Sequence, residues 1–376
     1  MFNTGVRGSG DREMTISVAM GTYNGERFLG EQLASLAAQT RLPDELVVTD
    51  DGSTDRTLEI VSEFGRTAPF PVRVIRNETN LGYGDNFLKA ARACRSDWIA
   101  FCDQDDVWLP DKLSAVERHF QVPGRDVVLV VHDALVVDQS LRPSGVRYPG
   151  IGRSRVRKGV DLPMLWFAGG LTMVFKADLV RRCRSDDRGP GHDPSGDPLA
   201  HDAWICWLAC IVGDVALSSD ALVLYRRHPR TTTRKLAGNA DEIRASRRRF
   251  AVMRRALTER GAATYLRVSE ALACHASAFQ RIAQDLGGGA WRDRFLDAER
   301  RYRSAAIWLA ERGATAGEET FARRIRHFRR AIAAGGYWTF YGAQRWLGMR
   351  ALARDALNCL IGGRRLARMV GAGDGD

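Results

Sequence analysis

The chain has 376 residues, 45% hydrophobic and 27% charged, a globular profile long enough for two domains and a sizeable core. Its formal charge of +11 is uneven: residues 1–224 hold 25 Lys+Arg against 31 Asp+Glu, a balance of −6, and residues 225–376 hold 31 against 14, a balance of +17. The split points to an anionic partner for the second part, whether a membrane surface, a nucleic acid or a diphosphate-bearing acceptor. The longest apolar run, 203–212, is too short to cross a bilayer and fits a buried helix.

Residues 1–13 are polar and Gly-rich, unlike a signal peptide, and are expected to be a disordered extension, with Met14 a candidate start. Ile16–Met20 reads as a first strand, ending in Gly21-Thr22-Tyr23-Asn24-Gly25. A helix follows, with Phe28, Leu29, Leu33, Leu36 and Ala37 on one face. Short polar residues before a helix N-terminus favour an anion, although no Rossmann or Walker glycine pattern is present and a plain βα turn is a serious rival reading.

Glu45–Thr49 is the second strand, running into Asp50-Asp51-Gly52-Ser53-Thr54-Asp55. Ser53 or Thr54 is the expected N-cap of a helix over 56–64. Asp51 can accept a hydrogen bond from a base or a ribose. Val72–Ile75 is the third strand, and Gly82 and Gly84 suggest a tight turn before a helix over 86–93.

Trp98–Cys102 then reads as a buried strand that stops in Asp103-Gln104-Asp105-Asp106. Carboxylates clustered at such a strand end are costly without an offsetting charge. Mg²⁺ suits the position, because it accepts one or two protein carboxylates and completes its shell with water and phosphate. The rival reading is a solvated acidic loop that caps the next helix. The order β-α-β-α-β-α-β, with polar strand ends, predicts a mostly parallel sheet with its ligand loops on one edge.

Val127–Val137 is a long apolar strand, 139–160 a surface loop, and Phe167–Phe175 a further strand whose Gly169-Gly170 permits close approach. Residues 183–200 read as a mobile lid. Asp202, before the apolar helix 203–212, is either an N-cap or a general base. Val215–Ser218 and Ala221–Tyr225 read as short strands, and His228 as a metal or phosphate contact or a merely solvated side chain. From about 240 onward only helices are expected: 241–258, 262–284, 291–312, 317–333 and 337–368. In the last, Trp346, Leu347, Met349, Leu352, Leu357 and Leu360 interleave with Arg345, Arg350, Arg354, Arg364 and Arg365. The pattern suits either an interfacial helix on anionic lipid or a helix packing on its own core. Seven cysteines without a Cys-x-x-Cys pair read as buried free thiols in a reducing compartment.

Thr22-Tyr23-Asn24, Gln32-Leu33-x-Ser35-Leu36-x-x-Gln39-Thr40, Asp50–Asp55, Asn80-Leu81-Gly82-Tyr83 and Asp103-Gln104-Asp105-Asp106-Val107-Trp108 together resemble a family 2 glycosyltransferase of the GT-A fold. The Asp-Gln-Asp-Asp-Val-Trp form, with His201-Asp202-x-Trp204 and Tyr225-Arg226-x-His228, is similar to the rhamnosyltransferase-like branch. The resemblance covers about 14–230. It implies a GT-A domain over 14–235 and leaves a basic α-helical region over 236–376. It implies that Thr22, Tyr23, Asn24, Gly82, Asn86, Asp103 and Gln104 line the nucleotide-sugar site and that Asp51 faces the base. Asp105, with Asp106 nearby, would hold Mg²⁺ or Mn²⁺, and His228 would supply a further metal or phosphate contact. Asp202 would be the catalytic base of an inverting hexosyl transfer, although family members commonly carry Glu-Asp where this chain has His201-Asp202.

The implied partners are a dTDP- or UDP-sugar, with dTDP-L-rhamnose the donor that the branch named suggests, a lipid-linked or free saccharide acceptor of the bacterial cell surface, and an anionic membrane. Nucleic acid is not expected. The implied location is cytoplasmic, peripheral on the inner membrane face. The rival readings are a sugar nucleotidyltransferase, whose Gly-rich basic loop is lacking after the first strand, and a catalytically silent sugar- or nucleic-acid-binding protein that uses the basic region.

Overall fold

The computed structural model describes residues 14–164, 166, 168–189, 198–229, 262–317, 320–339 and 345–361. The expectations for 1–13, the centre of the 183–200 loop, the helix over 241–258, the domain boundary near 235, and Arg364 and Arg365 lie outside the described residues.

Ten strands form one sheet: β1 (Ile16–Thr22), β2 (Glu45–Asp50), β3 (Val72–Arg76), β4 (Trp98–Cys102), β5 (Val107–Trp108), β6 (Val127–Val137), β7 (Pro143–Tyr148), β8 (Arg155–Lys158), β9 (Met173–Lys176) and β10 (Asp214–Arg226). The order is β3-β2-β1-β4-β9-β6-β10-β5, with β7 beside β6 and β8 beside β10. β3, β2, β1 and β4 run parallel, as do β6 and β10. β9 lies antiparallel between β4 and β6, and β5 runs antiparallel to β10. The sheet is therefore mostly parallel, as the βα alternation predicts.

Side-chain alternation divides the core between the two sheet faces. Val18, Met20, Trp98 and Ala100 pack with Leu29, Leu33 and Leu36 of α1 (Leu29–Ala37). Ala19, Ile99 and Phe101 face the other way. There they meet Phe87 and Leu88 of α3 (Tyr83–Ala93), which follows α2 (Thr57–Gly65), and Trp204 and Leu208 of α6 (His201–Val212). Between them lie α4 (Lys112–Glu117) and α5 (Asp178–Arg182).

The later helices are α7 (Ala262–Asp285), α8 (Ala290–Gly317), α9 (Phe321–Ala333), α10 (Gly336–Thr339) and α11 (Arg345–Ile361). The first two extend the core on one face of the sheet: Phe279, Phe295, Tyr302 and Trp308 join the cluster containing Trp204 and Trp207, and the Tyr302 hydroxyl donates to the Met164 carbonyl at 3.1 Å. No helix among the described residues is long and apolar enough to cross a membrane. All seven cysteines are free thiols.

Several local expectations differ from the structure. The 139–160 loop contains β7 and β8, edge strands too exposed to carry an apolar signature. In the expected 167–175 strand, Gly170–Thr172 is a 3-10 turn and only Met173–Lys176 pairs. The two short strands near 215–225 are one strand, β10, with bulges. α8 continues through Gly313, and of the expected 337–368 helix the described residues are helical in α10 and α11. At the start of α2 neither Ser53 nor Thr54 caps; instead Asp55 accepts the Thr57 amide at 3.0 Å.

Candidate active site

The carboxyl ends of β1, β2, β3 and β4 meet at one sheet edge, and buried polar groups shape the loops there. Asp50 accepts the Thr22 hydroxyl at 3.0 Å, the Ser53 amide at 2.9 Å and the Ser53 hydroxyl at 2.5 Å. Asp51, 3% exposed, accepts the Asn77 side-chain amide at 2.9 Å and the Leu81 and Gly82 main-chain amides at 2.7 and 2.9 Å. Its carboxylate thus holds the Asn80–Gly82 turn, where Gly82 has a φ of 79° that favours glycine. Asn86, 3% exposed, donates to the Thr49 carbonyl at 2.9 Å and accepts from Asn77 at 2.9 Å. Thr22 is 1% exposed. In this structure Thr22, Asp51 and Asn86 therefore hold the loops through bonds to side chains and main-chain groups of those same loops.

Tyr23 and Asn24 are exposed. Asn24 (φ 47°) accepts the Thr54 amide at 2.9 Å. The Gln104 side chain lies flat on Tyr23, accepting its amide and donating to its carbonyl, both at 3.0 Å. Tyr23 and Tyr83, 51% and 53% exposed, offer rings at this edge. The sequence reading did not single out Tyr83 as a site residue.

At the acidic strand end, Asp105 Oδ2 lies 2.8 Å from His228 Nε2. Two such atoms approach only by sharing a proton, and a cation can replace that proton. Asp106, buried, accepts the Arg226 amide at 2.8 Å on Oδ1, while its Oδ2 has no hydrogen-bond partner. Burial, followed by the charges of Asp105 and Asp202, pushes the Asp103 carboxyl up to about 7; burial and the charges of Asp105 and Asp103 also push Asp106 well up. Among the described residues no group of three or more His, Cys, Asp or Glu forms a ready cage. Asp105 and His228 side by side fit a divalent ion that takes its remaining ligands from a diphosphate and water.

Two cations hold this acidic end, and neither was picked out as functional from sequence. Lys112, fully buried, donates to the Leu171 carbonyl at 3.0 Å and sits 3.6 Å over the Trp108 ring. Burial pushes its ammonium down to about 7 against the pull of Cys102, Asp106 and Asp103. Arg226, 1% exposed, donates to the carbonyls of Asp105 and Gln139, each at 2.8 Å, and pairs with Glu31. It ties the end of β10, and so His228, to the acidic loop. A signal for both existed in sequence: a Lys six residues after the acidic run and an Arg two before His228.

Asp202 lies in the first turn of α6 rather than before it. Ala200 is the cap residue, and the Asp202 carboxylate accepts the next residue's amide at 2.8 Å. It is partly exposed and close enough to influence Asp103. His201 turns inward, stacked on Phe87 at 4.4 Å, with both ring nitrogens buried and unpartnered. Burial keeps it below the usual imidazole range. A Cβ on Gly170 would lie 2.9 Å from its Nε2, so that glycine admits a side chain rather than a ligand. His228 also lines a cavity of about 590 Å³ with Arg142 and Arg227.

Polar strand ends and the paired acid and imidazole groups meet at the carboxyl edge of the α/β sheet, where such sheets take ligands. Residues 17–179, under half of the chain, match the model of Glycosyl transferase family 2, and the fold of this segment is of the GT-A type. An uncharacterized glycosyltransferase of Nostoc sp. is 37% identical over 219 residues, 57% of this chain and 65% of the relative. A dTDP-rhamnosyl transferase of Shigella flexneri is 37% identical over 98 residues, 25% of this chain and 34% of the relative. Staphylococcus aureus TarS 1–349, solved with UDP, has 20% identity and a TM-score of 0.49, with 95% of this chain and 92% of that chain covered. The chain spans less than two thirds of the length of the first curated relatives it matches, 65% and 59%.

Proposed function

We propose that this protein transfers a sugar, with inversion, from a nucleoside-diphosphate donor to a hydroxyl of a saccharide acceptor in bacterial surface polysaccharide synthesis. The observation that carries the reading is the convergence of the Asp105–His228 pair, Asp103 and Asp202 at the ligand edge of a family 2 domain. Tyr23, Asn24, Gln104 and the Gly82 turn would flank the donor, with Thr22, Asp51 and Asn86 shaping the loops behind it. Asp103 would face the donor's sugar. Mg²⁺ or Mn²⁺ held by Asp105 and His228 would offset the negative charge of the leaving diphosphate.

Asp202 takes the proton of the acceptor hydroxyl. The acceptor oxygen bonds to the anomeric carbon from one side as the carbon–oxygen bond to the diphosphate breaks on the other. The bonding pair leaves on the nucleoside diphosphate. A base of this kind contributes roughly 10²–10⁴-fold in rate. The donor class is a dTDP- or UDP-sugar. The partial likeness to the Shigella dTDP-rhamnosyl transferase favours testing dTDP-L-rhamnose first, and the acceptor is a lipid-linked or free saccharide.

Two variants test the division of labour. Asp202→Asn should keep donor affinity and lose transfer by about 10²–10⁴-fold. Asp105→Asn should lose metal-dependent donor binding. Full transfer by either variant would sink the role given to that residue.

A further inference from the structure

α11 presents an apolar stripe to solvent, while its inner side buries Ala351 and Cys359 beside one charged residue, Asp355. The residues it buries include Asp355, which accepts from Arg312 Nε at 2.5 Å, Arg312 Nη2 at 3.1 Å and the Tyr337 hydroxyl at 2.6 Å. Those it shows to solvent include Met349, Leu357 and Leu360, 52%, 45% and 64% exposed, with exposed Ala353 between them. Spacings of four, four and three put these residues on one stripe. A helix facing only water shows the opposite arrangement. α9 packs alongside, with Arg324 Nε donating to the Cys359 carbonyl of α11 at 3.1 Å. Its exposed residues include Phe321 and Ile332, 49% and 44% exposed, and Arg323, Arg326, Arg329 and Arg330. Arg330 also approaches Glu311, at 3.7 Å.

We propose that α9 and α11 together dock this protein on an anionic lipid bilayer, the α11 stripe entering the acyl boundary and the α9 guanidinium groups meeting the headgroups. Apolar side chains bordered by long cationic ones match a lipid interface, where arginine stems lie along the apolar layer and their heads reach phosphate. The balance of +17 over 225–376 adds a long-range attraction to such a surface. A second copy fits less well, because a two-fold contact through the same face brings arginine clusters together. The docking is independent of the proposed glycosyl transfer.

Sedimentation of the full chain with vesicles tests it, using phosphatidylcholine alone and phosphatidylcholine with phosphatidylglycerol. The chain should pellet with the anionic vesicles only, and less so at high salt. Leu357→Ser/Leu360→Ser and, separately, Arg326→Glu/Arg329→Glu should each weaken binding about tenfold or more while the melting temperature holds. Absence of binding to anionic vesicles, or binding unchanged in both variants, would overturn the proposal. So would a dimer in ultracentrifugation that the serine variant converts to monomer, because that outcome assigns the face to a second copy.

Discussion

Replacing Arg226 by glutamine tests how the acidic strand end is held. The guanidinium is 1% exposed, donates to two main-chain carbonyls at 2.8 Å each, and lies 4.5 Å over the Phe28 ring. Its ion partner Glu31 has a side chain 57% exposed, so that charge returns to water at little cost and is left out of the sum. Each carbonyl deprived of its donor costs about 1–3 kcal/mol. Loss of the ring contact raises the total to about 3–5 kcal/mol, the range for truncating one side of a buried charged network. At about 1–2 °C per kcal/mol for a chain of this length, the melting temperature should fall by about 5 °C. The Arg226 amide still bonds Asp106 at 2.8 Å, so β10 should stay paired while the side-chain tie between His228 and Asp105 loosens. Metal affinity tuned from behind the ligands typically changes by about 10–100-fold, and the Mn²⁺ concentration for half-maximal activity should rise by that factor. Calorimetry and a Mn²⁺ titration read both effects. A variant that melts like the parent and keeps its Mn²⁺ response would refute the positioning role.

Three further outcomes follow from the same geometry. The Asp103 carboxyl is raised to about 7 by burial and its acidic neighbours, so the native state keeps a proton that the unfolded chain has released. Its contribution is full at low pH and is lost as pH rises through about 7; the metal-free melting temperature of the parent should therefore gain on that of Asp103→Asn between about pH 7.5 and about pH 5.5. Arg312→Met strands the buried Asp355 and should cost about 3–5 kcal/mol in calorimetry, with much of it recovered in Arg312→Met/Asp355→Leu. A Cβ on Gly25 would overlap the Gln104 amide that pairs with Tyr23; Gly25→Ala should raise the donor KM about tenfold, roughly 1.4 kcal/mol, with kcat nearly unchanged.

The βα half of the fold was legible because its buried strands are continuous apolar runs that end abruptly in polar residues. β4 is wholly buried up to Cys102 and gives way at once to Asp103. β7 and β8 were not legible, because edge strands with exposed Pro143, Ser144 and Gly145 carry neither an apolar run nor clean alternation. Site residues were recognisable by type but not by task. Asp51 follows β2 and Asn86 lies in the first turn of α3, as ligand contacts do, yet their hydrogen bonds close loops; only three-dimensional pairing distinguishes the two uses. The tasks of Lys112 and Arg226 were not legible, because their positions near the acidic run and His228 give no local sign of which distant groups they face. The inward Asp355 of α11 was hidden in the same way, since its partner Arg312 is on another helix.

The measurement closest to the central claim is release of nucleoside diphosphate from a panel of dTDP-, UDP- and GDP-sugars, with saccharide acceptors present, in Mn²⁺ or in EDTA. Release is expected from one donor class, requiring both the acceptor and the divalent ion, and Asp202→Asn should abolish it. Release that persists in EDTA and in that variant, or no release from any donor across the acceptor panel, would contradict it.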